Sequence, residues 1–99
     1  MKINIPWSYT DKRFDSGTVA DIGHSFRLEL RRTKKETNNK WRLYLSVRVT
    51  EENGVRNDLK RGVVVAEYKG TLSLEEAQEE ARKYIERFVL DIVGNLVSK

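Results

Sequence analysis

The chain has 99 residues, of which 38% are hydrophobic and 34% charged, and its 19 Lys or Arg against 15 Asp or Glu give a formal net charge of +4. This length predicts one domain over residues 1–99. The lack of cysteine excludes disulfides, zinc–thiolate sites and thiol nucleophiles. Neither a secretory signal pattern nor an apolar run of membrane length occurs, so we expect a soluble, cytoplasmic protein.

Positive charge is concentrated in the middle of the chain. Residues 24–70 contain twelve basic and six acidic residues, whereas residues 71–99 contain four basic and six acidic ones. An uneven distribution of this kind can create a one-sided field that attracts polyanions. The central segment is therefore the first place to look for a binding surface.

Residues 1–23 have the weakest structural pattern. Ile3 and Ile5 alternate with polar residues, and Pro6, which has no backbone N–H, would confine a strand here to a sheet edge. Turn-forming residues follow at 15–17 and at Gly23. We expect an irregular or edge-strand segment without a helix.

Two stretches alternate between apolar and polar residues, as half-buried strands do. In the first, which begins at His24, Phe26, Leu28 and Leu30 are expected to face the core. The second, at residues 40–50, is the longest alternating run and predicts the central strand of a sheet. Its expected core-facing residues are Trp41, Leu43, Leu45, Val47 and Val49, and its expected solvent-facing residues are Arg42, Tyr44, Ser46 and Arg48.

Polar connections flank the central strand. Residues 33–40 predict a hairpin loop, and Asn53-Gly54 is a strong type I′ turn signal in the next connection. A tight turn there would place Asp58 opposite Val49, so we expect either a bulge or a mobile loop beyond it. A third strand follows at residues 63–69, with inward side chains expected at Val64, Ala66 and Tyr68 and outward ones at Val63, Val65, Glu67 and Lys69.

The C-terminal region predicts a long amphipathic helix. Ser73 and Glu76 have the spacing of a capping box. Beyond them, apolar residues recur every three or four positions, and Gly94 is expected to follow the helix end at Val93. The predicted fold is an α+β domain: a three- or four-stranded antiparallel sheet with one long C-terminal helix packed on one face, its βββα core spanning residues 24–97.

The end of this helix is apolar on nearly every side. The surface helix of a monomer does not need such a pattern, so either residues 1–23 fold over it or a second chain covers it, as in a homodimer. The residues of this expected interface are Phe88, Val89, Leu90, Val93, Leu96 and Val97.

No pattern indicates catalysis, a metal or a cofactor. The single histidine, His24, stands at a strand start, and no serine lies in a nucleophile turn. The six glycines are scattered and form no phosphate loop. The carboxylates at positions 75, 76, 79 and 80 are expected to be a solvated helix face. We therefore expect a protein that is not an enzyme.

The solvent-facing side of the sheet is the candidate site. Arginine pairs bidentately with phosphate, and tyrosine can stack on a base. Glu29 and Glu67 could neutralise part of this charge by pairing across strands. The expected nucleic-acid-binding residues are Arg27, Arg31, Arg42, Tyr44, Arg48 and Lys69 on the face, Lys34, Lys35 and Lys40 at one end, and Arg56, Lys60 and Arg61 at the other.

The element order resembles that of the sheet-reading DNA-binding modules at the N-termini of tyrosine recombinases and that of plant-type AP2 domains. In both, a three-stranded sheet reads the major groove and one helix backs it. The likeness is one of pattern over residues 41–49, 56–62 and 71–88 and covers about half of the chain. The double-stranded-RNA-binding domain also ends in three strands and a helix, but it places lysines where this chain has Glu75 and Glu76. The resemblance implies a stand-alone DNA binder.

The sequence thus predicts a small non-catalytic protein that binds nucleic acid, DNA more than RNA, through a basic sheet face. The alternative is a protein–protein interaction module, such as an adaptor or an inhibitor from a phage or mobile element. Such a module would bind through the apolar helix end or an open sheet edge. No membrane partner is expected.

Overall fold

The computed structural model describes residues 2–9, 17–32, 40–51, 54–59 and 62–96. Their strands form one antiparallel sheet, and a helix packs on one face of it, so the predicted α+β class is confirmed. The elements are β1 (Ser8–Tyr9), β2 (Gly17–Ile22), β3 (Phe26–Arg32), β4 (Lys40–Glu51), β5 (Gly54–Leu59), β6 (Val63–Lys69) and α1 (Leu74–Leu96).

Strand β4 lies at the centre of the sheet, as its long alternation predicts. One side of it pairs with β3, with Leu43 opposite Leu30. The other side pairs with β6 along residues 40–45 and with β5 along residues 48–51, so β5 and β6 follow each other along β4.

Of the two alternatives expected beyond the β4–β5 turn, a bulge is present, but it does not separate Asp58 from Val49. Asp58 lies opposite Val49, and the register shifts between Val49 and Glu51. The turn residues 52–53, like residues 33–39 of the predicted hairpin loop, lie outside the described part of the chain.

Strand β2 lies between β1 and β3, and the sequence pattern did not identify it. Its core-facing residues are Thr18, Ala20 and Ile22, which are too small or too polar to give a clear apolar alternation. The buried Thr18 hydroxyl donates to the Ser8 carbonyl at 2.8 Å, so it is satisfied. Gly17, expected in a turn, begins this strand.

The core lies between α1 and the inner face of the sheet, which we define as the face that α1 covers. Its largest fully buried apolar side chains are Trp41, Leu28, Leu30 and Leu43. On the helix, Ala77 and Ala81 are fully buried. Because their side chains are small, the helix backbone can lie close to the sheet.

Trp41 connects the sheet to the turn before α1. Its indole N–H donates to the Leu72 carbonyl at 3.0 Å, which satisfies a buried polar group. The Arg32 guanidinium lies 4.9 Å from the Trp41 ring centroid and also donates to the Gly70 carbonyl at 3.0 Å. Two strands thus hold the β6–α1 turn in place.

The facing predicted for β6 is correct from Ala66 onward and wrong before it. Ala66 lies opposite Leu43, but Val64 lies opposite Tyr44, so Val65 is an extra residue in the ladder. Such a bulge moves every earlier side chain to the other face. Val64 therefore points away from the core, Val65 packs against it, and Val63 lies opposite Leu45 on the inner side.

The capping box at the start of α1 is confirmed. The Ser73 N–H donates to Glu76 Oε1, and the Glu76 N–H donates to Ser73 Oγ, each at 3.1 Å. The predicted helix end is wrong, since α1 passes through Gly94 to Leu96. No described helix is both long and apolar enough to cross a membrane.

The N-terminal segment, residues 2–7, packs beside the first half of α1. Ile5 is buried in the core, and Trp7 packs against it. The Ile3 N–H donates to Glu86 Oε2 at 3.3 Å, which fixes the start of the segment on the helix. The described N-terminal residues therefore cover the helix up to about Glu86 and leave the residues beyond it exposed.

Candidate nucleic-acid interface

The outer face of the sheet is the one that points away from α1. Cross-strand pairing places its side chains in rows, in which neighbouring Cβ atoms are about 4.5–5.5 Å apart. The rows are Asp21, Arg27 and Ser46; then Val19, Glu29, Tyr44 and Val64; then Gly17, Arg31, Arg42 and Glu67; and last Lys40 and Lys69. The fold thus brings together Arg27, Arg31, Lys40, Arg42, Tyr44 and Lys69, all of which the sequence analysis had assigned to the site.

Three of these cations already have acidic partners. Arg27 Nε donates to Asp21 Oδ1 at 2.8 Å, and this hydrogen bond raises the pKa of the Arg27 guanidinium above its ordinary value. The expected neutralisation by the two glutamates also occurs. Arg31 Nη2 lies 2.6 Å from Glu29 Oε2, and Lys40 Nζ lies 3.7 Å from Glu67 Oε2.

Arg42 and Lys69 differ from the other cations of the outer face. Neither makes an ion pair or a side-chain hydrogen bond within the described residues. Arg42 lies between Arg31 and Glu67 in its row, and the Glu67 carboxylate pairs with Lys40. Arg42 with Arg31, and Lys69 with Lys40, are therefore neighbours of like charge. Such pairs are unfavourable in isolation, and an anion bound between them would relieve the repulsion.

Tyr44 lies next to this positive corner of the sheet. In its row it stands between Glu29 and Val64, and Val19 follows beyond Glu29. Tyr44 is half-buried, whereas Val64 is exposed. An aromatic ring with an exposed aliphatic neighbour, bordered by a row that contains Arg31 and Arg42, can receive a planar apolar group and an anion together.

Sequence reasoning missed several members of the outer face for identifiable reasons. Asp21 and Val19 belong to β2, which the pattern did not identify. Val64 was assigned to the core because the bulge at Val65 was not foreseen. The mixed polarity of β2 carries no clear signal, but the run of three valines before Ala66 already indicated an irregular alternation.

At its Ser46 end, the outer face of the sheet is covered by the backbone at Gly62 and is not accessible to solvent. Ser46 was expected in solvent, but it is only 3% exposed. The backbone at Gly62 lies against it, so that a Cβ built at Gly62 would be 2.7 Å from Ser46 Oγ and 3.2 Å from Tyr44 Cβ. The open part of the face therefore begins at the Tyr44 row.

The remaining predicted basic residues cannot be placed as side chains. Arg48 lies in β4 and Arg56 lies in β5, and the structure describes only the backbone at these two positions. The other predicted basic residues lie outside the described residues, and so does Val97 of the predicted interface. These basic residues are Lys34, Lys35, Lys60 and Arg61.

The predicted interface on the helix lies at its free end. Phe88, Leu90, Val93 and Leu96 are all exposed, with Leu96 at 77%, while Val89 is half-buried. Ile92, on the same part of the helix, is also exposed. The described N-terminal residues therefore do not fold over this end, whereas residues 10–16 lie outside the described part of the chain.

The other candidate groups have ordinary surroundings. His24 is an exposed residue of the β2–β3 turn, where Gly23 adopts a φ of +59°. Glu76 caps the helix, while Glu79 and Glu80 pair with Arg82 and Lys83. Across the described residues, no group of His, Asp or Glu side chains could hold a metal ion.

Comparison with family models, with curated proteins and with solved structures gives no match for this chain. The site therefore has to be interpreted from its own geometry.

Proposed function

We propose that the protein binds nucleic acid through the outer face of its sheet, at a cluster formed by Arg42, Tyr44, Lys69 and Lys40. The observation that carries the proposal is the pair of cations without a described acidic partner, Arg42 and Lys69, beside an accessible aromatic ring. The guanidinium group suits a phosphate, and the ring suits a base.

The ion pairs on the same face are compatible with this function. Arg27–Asp21, Arg31–Glu29 and Lys40–Glu67 each have at least one partly exposed side chain. Exposed pairs of this kind are typically worth less than about 1 kcal/mol. A phosphate can therefore replace or share the carboxylate, while the carboxylates oppose unselective binding at the positions that they occupy.

A single strand fits the cluster better than a duplex does. Stacking on Tyr44 requires a base whose face is free, and bases in a duplex are already stacked on their neighbours. The resemblance to sheet-reading duplex binders implies the other mode. The two modes predict opposite preferences between probes of equal length.

The test is a fluorescence anisotropy titration of single- and double-stranded DNA and RNA at several salt concentrations. We expect binding that weakens steeply with salt and favours single strands. Arg42→Ala should weaken binding by at least about tenfold, because a hydrogen bond to a charged group is worth roughly 1.5–3 kcal/mol. It should also lower the salt slope by about 0.7 for each single-strand phosphate contact that is lost.

Lys83→Ala is the control, since it removes one positive charge from an exposed position on α1 that lies far from the outer face of the sheet. It should change the affinity less than twofold. Tyr44→Leu should reduce single-strand binding, whereas Tyr44→Phe should preserve it. The absence of binding at low salt, or equal losses for Arg42→Ala and Lys83→Ala, would refute this assignment.

The protein-interaction alternative is favoured by a separate observation. The helix end exposes several large apolar side chains, and exposed apolar patches often mark protein contacts. In addition, strand β6 pairs only with β4 among the described strands, so the other side of β6 is an open sheet edge.

A further inference from the structure

The last part of α1, residues 87–96, keeps the pattern of a buried helix after leaving the core; we call it the helix tail. Ala77 and Ala81 are buried, Tyr84 and Ile85 pack against the core, and Phe88, Ile92 and Leu96 continue the same stripe at intervals of four residues. In this tail, however, Phe88 is 42% exposed and Leu96 77%. The apolar stripe of α1 therefore continues beyond the part of the helix that the sheet and the N-terminal segment cover.

The helix is also longer than the strands on which it packs. The 23 residues of α1 extend about 35 Å. The seven-residue strands β3 and β6 extend about 23 Å each. The helix therefore exceeds the length of these strands by about two turns.

A second apolar surface is uncovered on the inner face of the sheet. Phe26 and Val47 lie directly opposite each other on β3 and β4, and Val63 lies opposite Leu45. We call these three residues the sheet strip. All three are exposed, Val63 at 62%, although they share a face with the fully buried Leu28, Leu30 and Leu43. The intramolecular helix covers only one end of this face.

We propose that the protein forms a two-fold symmetric homodimer in which the helix tail of each chain packs on the sheet strip of the other. The helix tail has an apolar stripe on which no strand packs, and the sheet strip is an apolar sheet surface on which no helix packs. In a dimer with a two-fold axis, the tail of each chain packs on the strip of the other. Both tails and both strips are then covered, and no further chain is added. The intermolecular packing repeats the helix-on-sheet packing of the core.

The exposed apolar area of the two surfaces reaches the lower end of the range that stable dimers bury. The side chains of the strip, together with Phe88, Ile92, Val93 and Leu96 of the tail, each expose on the order of 100 Å² or somewhat less, which sums to on the order of 600 Å² per chain. A standard interface buries about 800 Å² per partner, including its polar rim. The tail carries one charge of each sign, Arg87 and Asp91, so two basic chains can approach there without strong repulsion.

The first test is sedimentation equilibrium from about 1 µM to about 500 µM chain. We expect the mass to rise to twice the 11.6 kDa of one chain. Leu96→Glu and Val63→Lys should each raise the dimer dissociation constant at least tenfold, since each places a charge in the apolar contact. Val64→Lys is the matched control, because Val64 adjoins Val63 but points to the outer face; it should dimerise like the wild type.

A mixing experiment tests the cross-contact itself. A mixture of fluorescently labelled Leu96→Glu chain and unlabelled Val63→Lys chain should form a heterodimer, because one tail–strip contact is then unaltered and the other joins Glu to Lys. Circular dichroism of each variant checks that it is folded. The proposal is wrong if the wild type stays monomeric throughout. It is equally wrong if Val63→Lys dimerises normally, which would indicate tail-to-tail contact, or if the mixture stays monomeric. Nucleic-acid binding is measured separately, so failure of either proposal leaves the other unaffected.

Discussion

At the scale of single residues, Gly62 shows how closely the β5–β6 connection approaches β4. A methyl group there would lie 2.7 Å from Ser46 Oγ and 3.2 Å from Tyr44 Cβ. Gly62→Ala should therefore lower the free energy of unfolding by about 1–3 kcal/mol, the usual cost of overpacking. Urea denaturation monitored by tryptophan fluorescence measures this difference.

Two further variants separate steric crowding from general glycine effects. Ser46→Ala removes the nearer atom, so the double variant should be more stable than additivity predicts. Gly94→Ala places a methyl group in α1, where nothing lies within 4 Å, and should stabilise the protein by up to about 1 kcal/mol. If Gly62→Ala proves neutral, the close approach at Ser46 is not a constraint on the sequence.

At the scale of elements, one side chain connects the N-terminal segment to α1. Glu86 Oε2 accepts hydrogen bonds from the Ile3 N–H at 3.3 Å and from Arg82 Nη1 at 2.7 Å. The Ile3 hydrogen bond, and after it the hydrogen bond from Arg82, hold the pKa of the Glu86 carboxyl below its usual range. Folding therefore favours the ionised form of this carboxyl.

Acid should consequently weaken the attachment of the N-terminal segment. Because the pKa of Glu86 is lower in the folded than in the unfolded chain, its contribution is complete above the unfolded pKa and is lost as the pH falls through the folded one. Glu86→Gln should be less stable than the wild type at pH 7, and its melting temperature should fall less between pH 7 and about pH 3. Thermal melts followed by circular dichroism provide the comparison.

Glu75→Gln is the control for this prediction. Glu75 lies on the same helix and makes no hydrogen bond or ion pair among the described residues. At pH 7, Glu75→Gln should lose less stability than Glu86→Gln, since it breaks no contact with the N-terminal segment. Parallel melting curves for Glu86→Gln and the wild type would show that Glu86 does not link the segment to the helix.

The elements differ in how far their sequences predict them. Strand β4 and the start of α1 follow from strict alternation and from the Ser73–Glu76 pair, because each pattern has one dominant structural explanation. Strand β2 does not, since Thr18 and Ala20 are buried through a satisfied hydroxyl and through small size rather than through strong hydrophobicity. The end of α1 was misjudged because Gly94 terminates a helix only when it adopts a positive φ, and Gly23 is the only described glycine that does.

At the scale of the whole molecule, the charge of the candidate site depended on pairings that no local pattern encodes. The alternation of β3 and β4 correctly placed Arg27, Arg31 and Arg42 on one face. Which of them stays without an acidic partner depends on Asp21 in the unrecognised β2 and on Glu67, which lies opposite Arg42 but pairs with Lys40. Local sequence therefore placed these three arginines on one face but did not predict their ion pairs.

The response of the whole fold to alkali depends on Tyr68. Its ring packs on the inner face opposite Trp41, and its hydroxyl donates to the Glu80 carbonyl at 3.4 Å. Burial, followed by the negative charge of Glu80, raises the pKa of Tyr68 to about 12. An unperturbed tyrosine has a pKa near 10. The stabilisation from the neutral phenol is thus complete below about pH 10 and is lost as the pH rises through about 12.

Absorbance at 295 nm during alkaline titration should therefore show a tyrosine ionisation step near pH 12, about two pH units above that of an unperturbed tyrosine. Tyr68→Phe should remove this late step. Between pH 8 and about pH 11, the melting temperature of Tyr68→Phe should fall less than that of the wild type. If Tyr68→Phe leaves the ionisation near pH 12 unchanged while circular dichroism still reports a folded chain, Tyr68 is not protected by the core. Its protection would show that the cover supplied by α1 extends across the inner face as far as β6.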